Sequence, residues 1–241
     1  MDNQKLFQLS TLSALALGYT RGVTDIETFL LHGDTGLGTF EDVDGEMIVA
    51  DGHCYRAMHD GSIEEPALNT GIPFAAIGFI KGKKIYEFDN INSAEELKTV
   101  LNLKIEENFG LNSMHLVRID GSFNRIAARS EVPYRSHHIE LKDILSHTQE
   151  EFYFDNIKGS LICLYYPDYM DGINAPGWHF HFISEDRKKG GHVFELSMLH
   201  GTVRLDKING IELRLPGDAA FDTYSLKEAS QKDIKKVEQG G

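Results

Sequence analysis

Short runs of alternating apolar and polar residues, closed off by Gly, Asp and Asn, dominate the chain. EMIVADGHCYRAM (46–58) sets Asp51-Gly52 between two β-rich runs, which predicts a hairpin because both residues tolerate the positive φ of a tight turn. The same pattern predicts reversals at Lys81-Gly82-Lys83 within FAAIGFIKGKKIYEF (74–88) and at Asp120-Gly121 within HLVRIDGSFNRIAARS (115–130). LICLYY (161–166), WHFHFI (178–183), HVFELSML (192–199) and IELRLP (211–216) complete a β-heavy set. A helical period is rarer. SAEELKTVLNLKIEE (93–107) opens on Ser93 and Glu96, a capping box, and places apolar residues at 97, 100, 101 and 105. Shorter helices are expected at 10–18 and 139–149, and over part of 225–239. The fold class is therefore α+β, with mostly antiparallel sheet or barrel and a few short helices. Two β-rich subdomains, 1–110 and 111–241, are expected to divide near 107–115.

Composition narrows the function classes. The 241 residues are 41% apolar and 25% charged, ordinary for a globular chain with a real core. A net charge of −13, with no basic run longer than RKK (187–189), repels phosphate backbones and anionic lipid. Neither nucleic acid nor a membrane surface is an expected partner. Cys54 and Cys163 stand far apart with no CxxC, which predicts a reducing, cytoplasmic setting and excludes a cysteine-type zinc site. LFQLSTLSALALGY (6–19) is apolar, but Gln8, Ser10, Thr11 and Ser13 break it, so it is not read as a secretory signal. No apolar run approaches the ~20 residues of a membrane-spanning helix.

Candidate chemistry concentrates in GWHFHFISEDRKKGGHV (177–193). On a strand His179 and His181 share one face, while Trp178, Phe180 and Phe182 take the other. A reversal through SEDRKKGG, with a loop of about four residues, sets His192 opposite His181. Three imidazoles then converge without a fourth protein ligand nearby, the donor set of a catalytic rather than a closed structural zinc site. The other eight histidines are not expected to ligate, and His137-His138 read as surface or capping groups. A cupin motif also runs His-x-His and then Glu, and Glu185 falls at that spacing, although Gly172 misses the motif's glycine by one place. A cupin-like metal dioxygenase or isomerase using His179, His181, Glu185 and His192 is thus an alternative. A non-enzymatic, metal-stabilised binding domain is another. GDTGLGTF (33–40) lacks the spacings of nucleotide-binding loops.

Beyond these residues the chain resembles the α-acetolactate decarboxylase family from end to end. FQLSTLSALALGYTRG, GDTGLGTFEDVDGEMIVADGHCYR, GSFNRIAARSEVPY, the histidine segment and the tail DIKKVEQ match the family's blocks in order. ALGY (16–19) departs from it, standing where the family more usually has an Asp-Gly pair. The resemblance implies His179, His181 and His192 as ligands of a Zn2+ cofactor. It also implies Glu46, Arg129 and Glu238 as catalytic residues and Thr39 as a substrate-binding residue. For Glu238 to act, the tail 225–241 must fold back onto the metal.

The implied substrate is a small 2-hydroxy-3-keto acid, 2-acetolactate, converted to (R)-acetoin and CO2. Its ketone is already an electron sink, so the implied route is a metal-stabilised enediolate protonated by a glutamate. The resemblance further implies a homodimer.

Overall fold

The computed structural model describes residues 4–135 and 139–223. In chain order its elements begin with β1 (Lys5–Leu9), α1 (Leu12–Ala16), β2 (Thr24–Asp25), α2 (Ile26–Leu30) and β3 (Thr35–Thr39). They continue with β4 (Glu46–Ala50), β5 (His53–Ala57), β6 (Ile63–Glu64), β7 (Gly71–Ile72) and β8 (Phe74–Gly78). Next come β9 (Lys84–Ile91), α3 (Ala94–Asn108), β10 (Met114–Glu131) and α4 (Leu141–Thr148). The last are β11 (Gln149–Tyr166), β12 (Gly177–Ser184), β13 (Gly190–Ile208) and β14 (Gly210–Arg214).

Two sheets carry the fold, which is mostly antiparallel as expected; a two-stranded β2-β7 ribbon stands apart. The first sheet runs β14-β1-β8-β3-β4-β5-β6, with β1 and β14 its one parallel pair. The second runs β10-β11-β12-β13-β9, and an added β10–β13 pairing closes β10, β11, β12 and β13 into a ring. The barrel interior holds Val117, Ile119, Phe123, Leu161, Trp178, Phe180 and Phe182, and α3 covers it with Leu97, Leu101 and Ile105. The sheets exchange elements across residue 110. β9 and α3 precede it and belong with the barrel, whereas β14 follows it and belongs with the first sheet.

Strand alternation fixes how the sheets meet. In β4, Met47 and Val49 point at Ile26 and Phe29 of α2, while Ile48 and Ala50 point at Ile162 and Ile183 of the barrel. Leu37 on β3 likewise joins Leu116, Leu164 and Tyr166. Gln8, fully buried, accepts from Tyr166 Oη and Asn174 Nδ2 and donates to Ser10 O and Ile173 O. Every polar atom of that side chain is thereby satisfied, as burial demands.

Of the four predicted reversals, two form hairpins, at Asp51-Gly52 and through SEDRKKGG. Asp51 (φ 55°) and Gly52 (φ 78°) make the two-residue turn between β4 and β5. Lys81-Gly82-Lys83 instead carries the chain from one sheet to the other. The fully buried Asp206 accepts from the backbone N–H of Lys81, Gly82 and Lys83, a nest that holds the crossover open. Asp120-Gly121 does not turn at all, because β10 runs through it paired on both edges. Gly121 stands level with Gly159 and Gly201 there. A Cβ at Gly121 would lie 2.4 Å from His200 O and one at Gly159 2.3 Å from Ile183 O, so glycine is required by close backbone approach. Helix α3 is capped as expected, with Ser93 Oγ accepting from Glu96 N at 3.0 Å. The segments 10–18 and 139–149 contain α1 and α4. The helix expected over part of 225–239 lies outside the described residues.

Candidate active site

The strands β12, β13 and β10 set His181, His192 and Arg129 level with one another across the barrel wall. His179, His181 and Ile183 face the first sheet, opposite to Trp178, Phe180 and Phe182 in the barrel interior. His192 and Arg129 likewise alternate with the inward Val193 and Ala128. The first sheet answers with Glu46, which shares its face with Ile48 and Ala50, and with Thr39, paired to Glu46 in register. The site is thus built where two sheets present polar positions of otherwise apolar faces.

Its geometry is tight. His179 Nε2 lies 3.1 Å from His181 Nε2 and 3.0 Å from His192 Nδ1, and all three rings are buried. The His181 Nδ1–H donates to Met47 O at 2.7 Å, which leaves the Nε2 lone pair aimed at the other two imidazoles. Glu46 Oε2 lies 3.3 Å from His181 Nε2, and Oε1 lies 3.7 Å from His192 Nδ1. Arg129, 7% exposed, brings Nη2 to 3.4 Å from His192 Nε2. Thr39 Oγ1 donates to Gly45 O at 3.0 Å.

Burial pushes the His179 imidazole down to about 3, with the Arg129 charge adding to the effect. Burial likewise holds His181 well below the usual imidazole range, helped by the neighbouring His179. Both rings are neutral at pH 7, as metal ligation requires. Three ring nitrogens and a carboxylate converge, a set of acceptors that a cation reconciles. These histidines are the group among the described residues whose ligand atoms, within 4.8 Å of one another, suit a metal ion.

A cavity opens beside them. Its polar side carries Thr39, Glu46, Arg129, His179 and His192, and its apolar side Leu15, Val43, Phe74, Leu141 and Leu145. The structure thus brings together every proposed site residue within the described span. Glu238 lies outside it. Glu185 sits exposed in the β12–β13 turn, away from this cavity, so the four-ligand cupin set is not formed. Arg118 is held by Asp51 and Asp120, and Arg125 lies 3.9 Å from Asp155 near the exposed Tyr153. Glu131, 3% exposed, and Gln149 also line the cavity and were not anticipated. The spacing of Glu131 two residues from Arg129 on one strand face was the signal for it. The Met47 carbonyl carried no side-chain signal.

Comparison with known proteins agrees with this construction. The family model described as alpha-acetolactate decarboxylase matches residues 6–228. The alpha-acetolactate decarboxylase of Methanosarcina mazei is 34% identical over 234 residues, covering 97% of this chain and 80% of that protein. That of Lactococcus lactis subsp. cremoris is 34% identical over 237 residues, covering 97% and 98%. The crystal structure of the Bacillus subtilis strain 168 alpha-acetolactate decarboxylase superposes with a TM-score of 0.91 at 30% identity, covering 97% of this chain and 99% of that one. A match across nearly the whole length, on a fold that assembles this cavity, places the chain in the alpha-acetolactate decarboxylase family, and it is an enzyme of that kind, a carboxy-lyase.

Proposed function

We propose that the chain decarboxylates 2-acetolactate to (R)-acetoin with Zn2+ held by His179 Nε2, His181 Nε2 and His192 Nδ1. The observation that carries this reading is the convergence of three buried imidazoles on one point beside Glu46. An all-nitrogen set with no cysteine nearby suits zinc. When bound, the ion supplies Lewis acidity to the oxygens of the substrate and offsets the charge that CO2 loss leaves behind.

The protein supplies the rest. Arg129 attracts and orients an anionic substrate. Its charge lowers the barrier only where it holds the developing negative charge better than the departing carboxylate, so its place is beside the enediolate oxygens. Thr39 lines the polar side of the cavity and orients the substrate there. The apolar lining excludes water, so the proton that C2 requires comes from a chosen group. Glu46 and Glu238 are the carboxylates assigned to that step, with Glu238 brought in by the tail 225–241. The two buried thiols, Cys54 and Cys163, agree with a cytoplasmic setting, and the homodimer remains part of this reading. No helix among the described residues is long and apolar enough to cross a membrane.

The test is acetoin and CO2 formation from racemic 2-acetolactate before and after chelation. Activity should vanish with the metal and return with one equivalent of Zn2+, and His181→Ala should bind no stoichiometric zinc. Full activity in the chelated protein overturns the metal assignment.

A further inference from the structure

The two sides of the cavity differ in chemistry as well as in origin. Thr39, Glu46, Arg129, His179 and His192 come from strands of the two sheets. Leu15, Val43, Phe74 and Leu141 belong to one hydrophobic cluster with Ile144, and Leu145 packs against it. Leu15 stands on α1, and Leu141 and Leu145 stand on α4. The apolar side is therefore a continuous wall.

A 2-alkyl-2-hydroxy-3-keto acid divides in the same way. Its carboxylate, hydroxyl and ketone oxygens belong with the polar side, which leaves the alkyl group on C2, together with the methyl next to the ketone, for the leucine side. We propose that Leu145, with Leu141 beside it, sets the largest C2 alkyl group that the site accepts. The assignment rests on the decarboxylase reading above and names the side chain that selects among its substrates.

Leu145 suits this role better than its neighbours. Leu141 and Ile144 are buried in the cluster, whereas Leu145 is only partly buried and borders the cavity. Trimming Leu145 therefore enlarges the cavity at small cost to packing. The alkyl group keeps its bond to C2 while C2 flattens, so contact with it differs little between the ground and transition states. Contact of that kind appears in KM and kcat/KM and leaves kcat nearly untouched.

The experiment compares kcat/KM for 2-acetolactate (methyl on C2) with that for 2-aceto-2-hydroxybutyrate (ethyl on C2). Leu145→Ala should raise the ethyl-to-methyl ratio by about fourfold, the factor for one buried methylene, and mainly through KM. Leu145→Phe should lower it by a similar factor or more. Ser146→Ala, exposed on the same helix, should leave it unchanged. Ratios within twofold of the wild type in both Leu145 variants, with 2-acetolactate still turned over, overturn the assignment while sparing the decarboxylase reading. A wild-type chain releasing CO2 from neither substrate overturns both.

Discussion

Glu46 holds its carboxylate oxygens 3.3 and 3.7 Å from two imidazoles, on a strand whose carbonyl at Met47 orients one of them. Glu46→Gln preserves the shape of that position and removes its ability to exchange a proton. If Glu46 handles the proton for C2, kcat should fall about 10²–10⁴-fold while zinc content stays at one equivalent. Zinc analysis beside steady-state rates checks this, and Glu238→Gln gives the parallel measurement for the tail. A second residue, His115, reports on stability. It is fully buried near the rings of Phe109 and Tyr165, and burial pushes it down to about 4. An unfolded histidine titrates near 6.5, so between these values the unfolded chain binds more protons than the folded one. The contribution of His115 is thus fully present above pH ~6.5 and is lost as pH falls toward 4, on the order of 3 kcal/mol in all. Urea titrations from pH 7 to 4 should show this slope, and it should flatten in His115→Gln.

Elements were legible in the sequence where the deciding signal was local. The Ser93–Glu96 cap and the apolar spacing of α3 lie within one helix, and the Asp51-Gly52 turn needs only its two residues. The pairing of His181 with His192 followed from a short loop between two strands. The failures came where distant partners decided. Asp120-Gly121 has turn chemistry, yet strands forty and eighty residues away pair it into a continuous strand of 18 residues. Lys81-Gly82-Lys83 was readable as a loop, but its direction was set by Asp206, invisible from nearby sequence. In the site, side-chain chemistry pointed to the histidines, whereas Glu46, Arg129 and Thr39 needed family resemblance, since alone each is an ordinary strand residue. The Asp206 nest gives a prediction at this scale. Asp206→Ala removes the charged acceptor of three backbone N–H groups on a partly exposed crossover, so chemical denaturation should show a loss of about 2 kcal/mol.

At the scale of the whole molecule, the barrel depends on chain from both sides of residue 110. β9 pairs along β13, and α3 covers the barrel with Leu97, Leu101 and Ile105. A fragment comprising 111–241 lacks both and exposes that apolar face to water. Expressed alone, it should aggregate or unfold without a cooperative transition, measured by calorimetry against the full chain. A sharp transition in that fragment would show instead that the barrel closes without its cover.

The Met47 carbonyl that steadies His181 belongs to the backbone, so no replacement of the methionine side chain abolishes it. Mutational tolerance at position 47 therefore says nothing about its importance. The vulnerability lies in registration. A slip of β4 by one residue would offer the carbonyl of a neighbour in place of that of Met47 and turn Glu46 to the opposite face in the same movement. Ligand orientation and the carboxylate are thus inherited together, guarded by the Asp51-Gly52 turn that locks β4 against β5. Inserting one residue in that turn, far from any reacting atom, should disable the enzyme as thoroughly as removing a histidine.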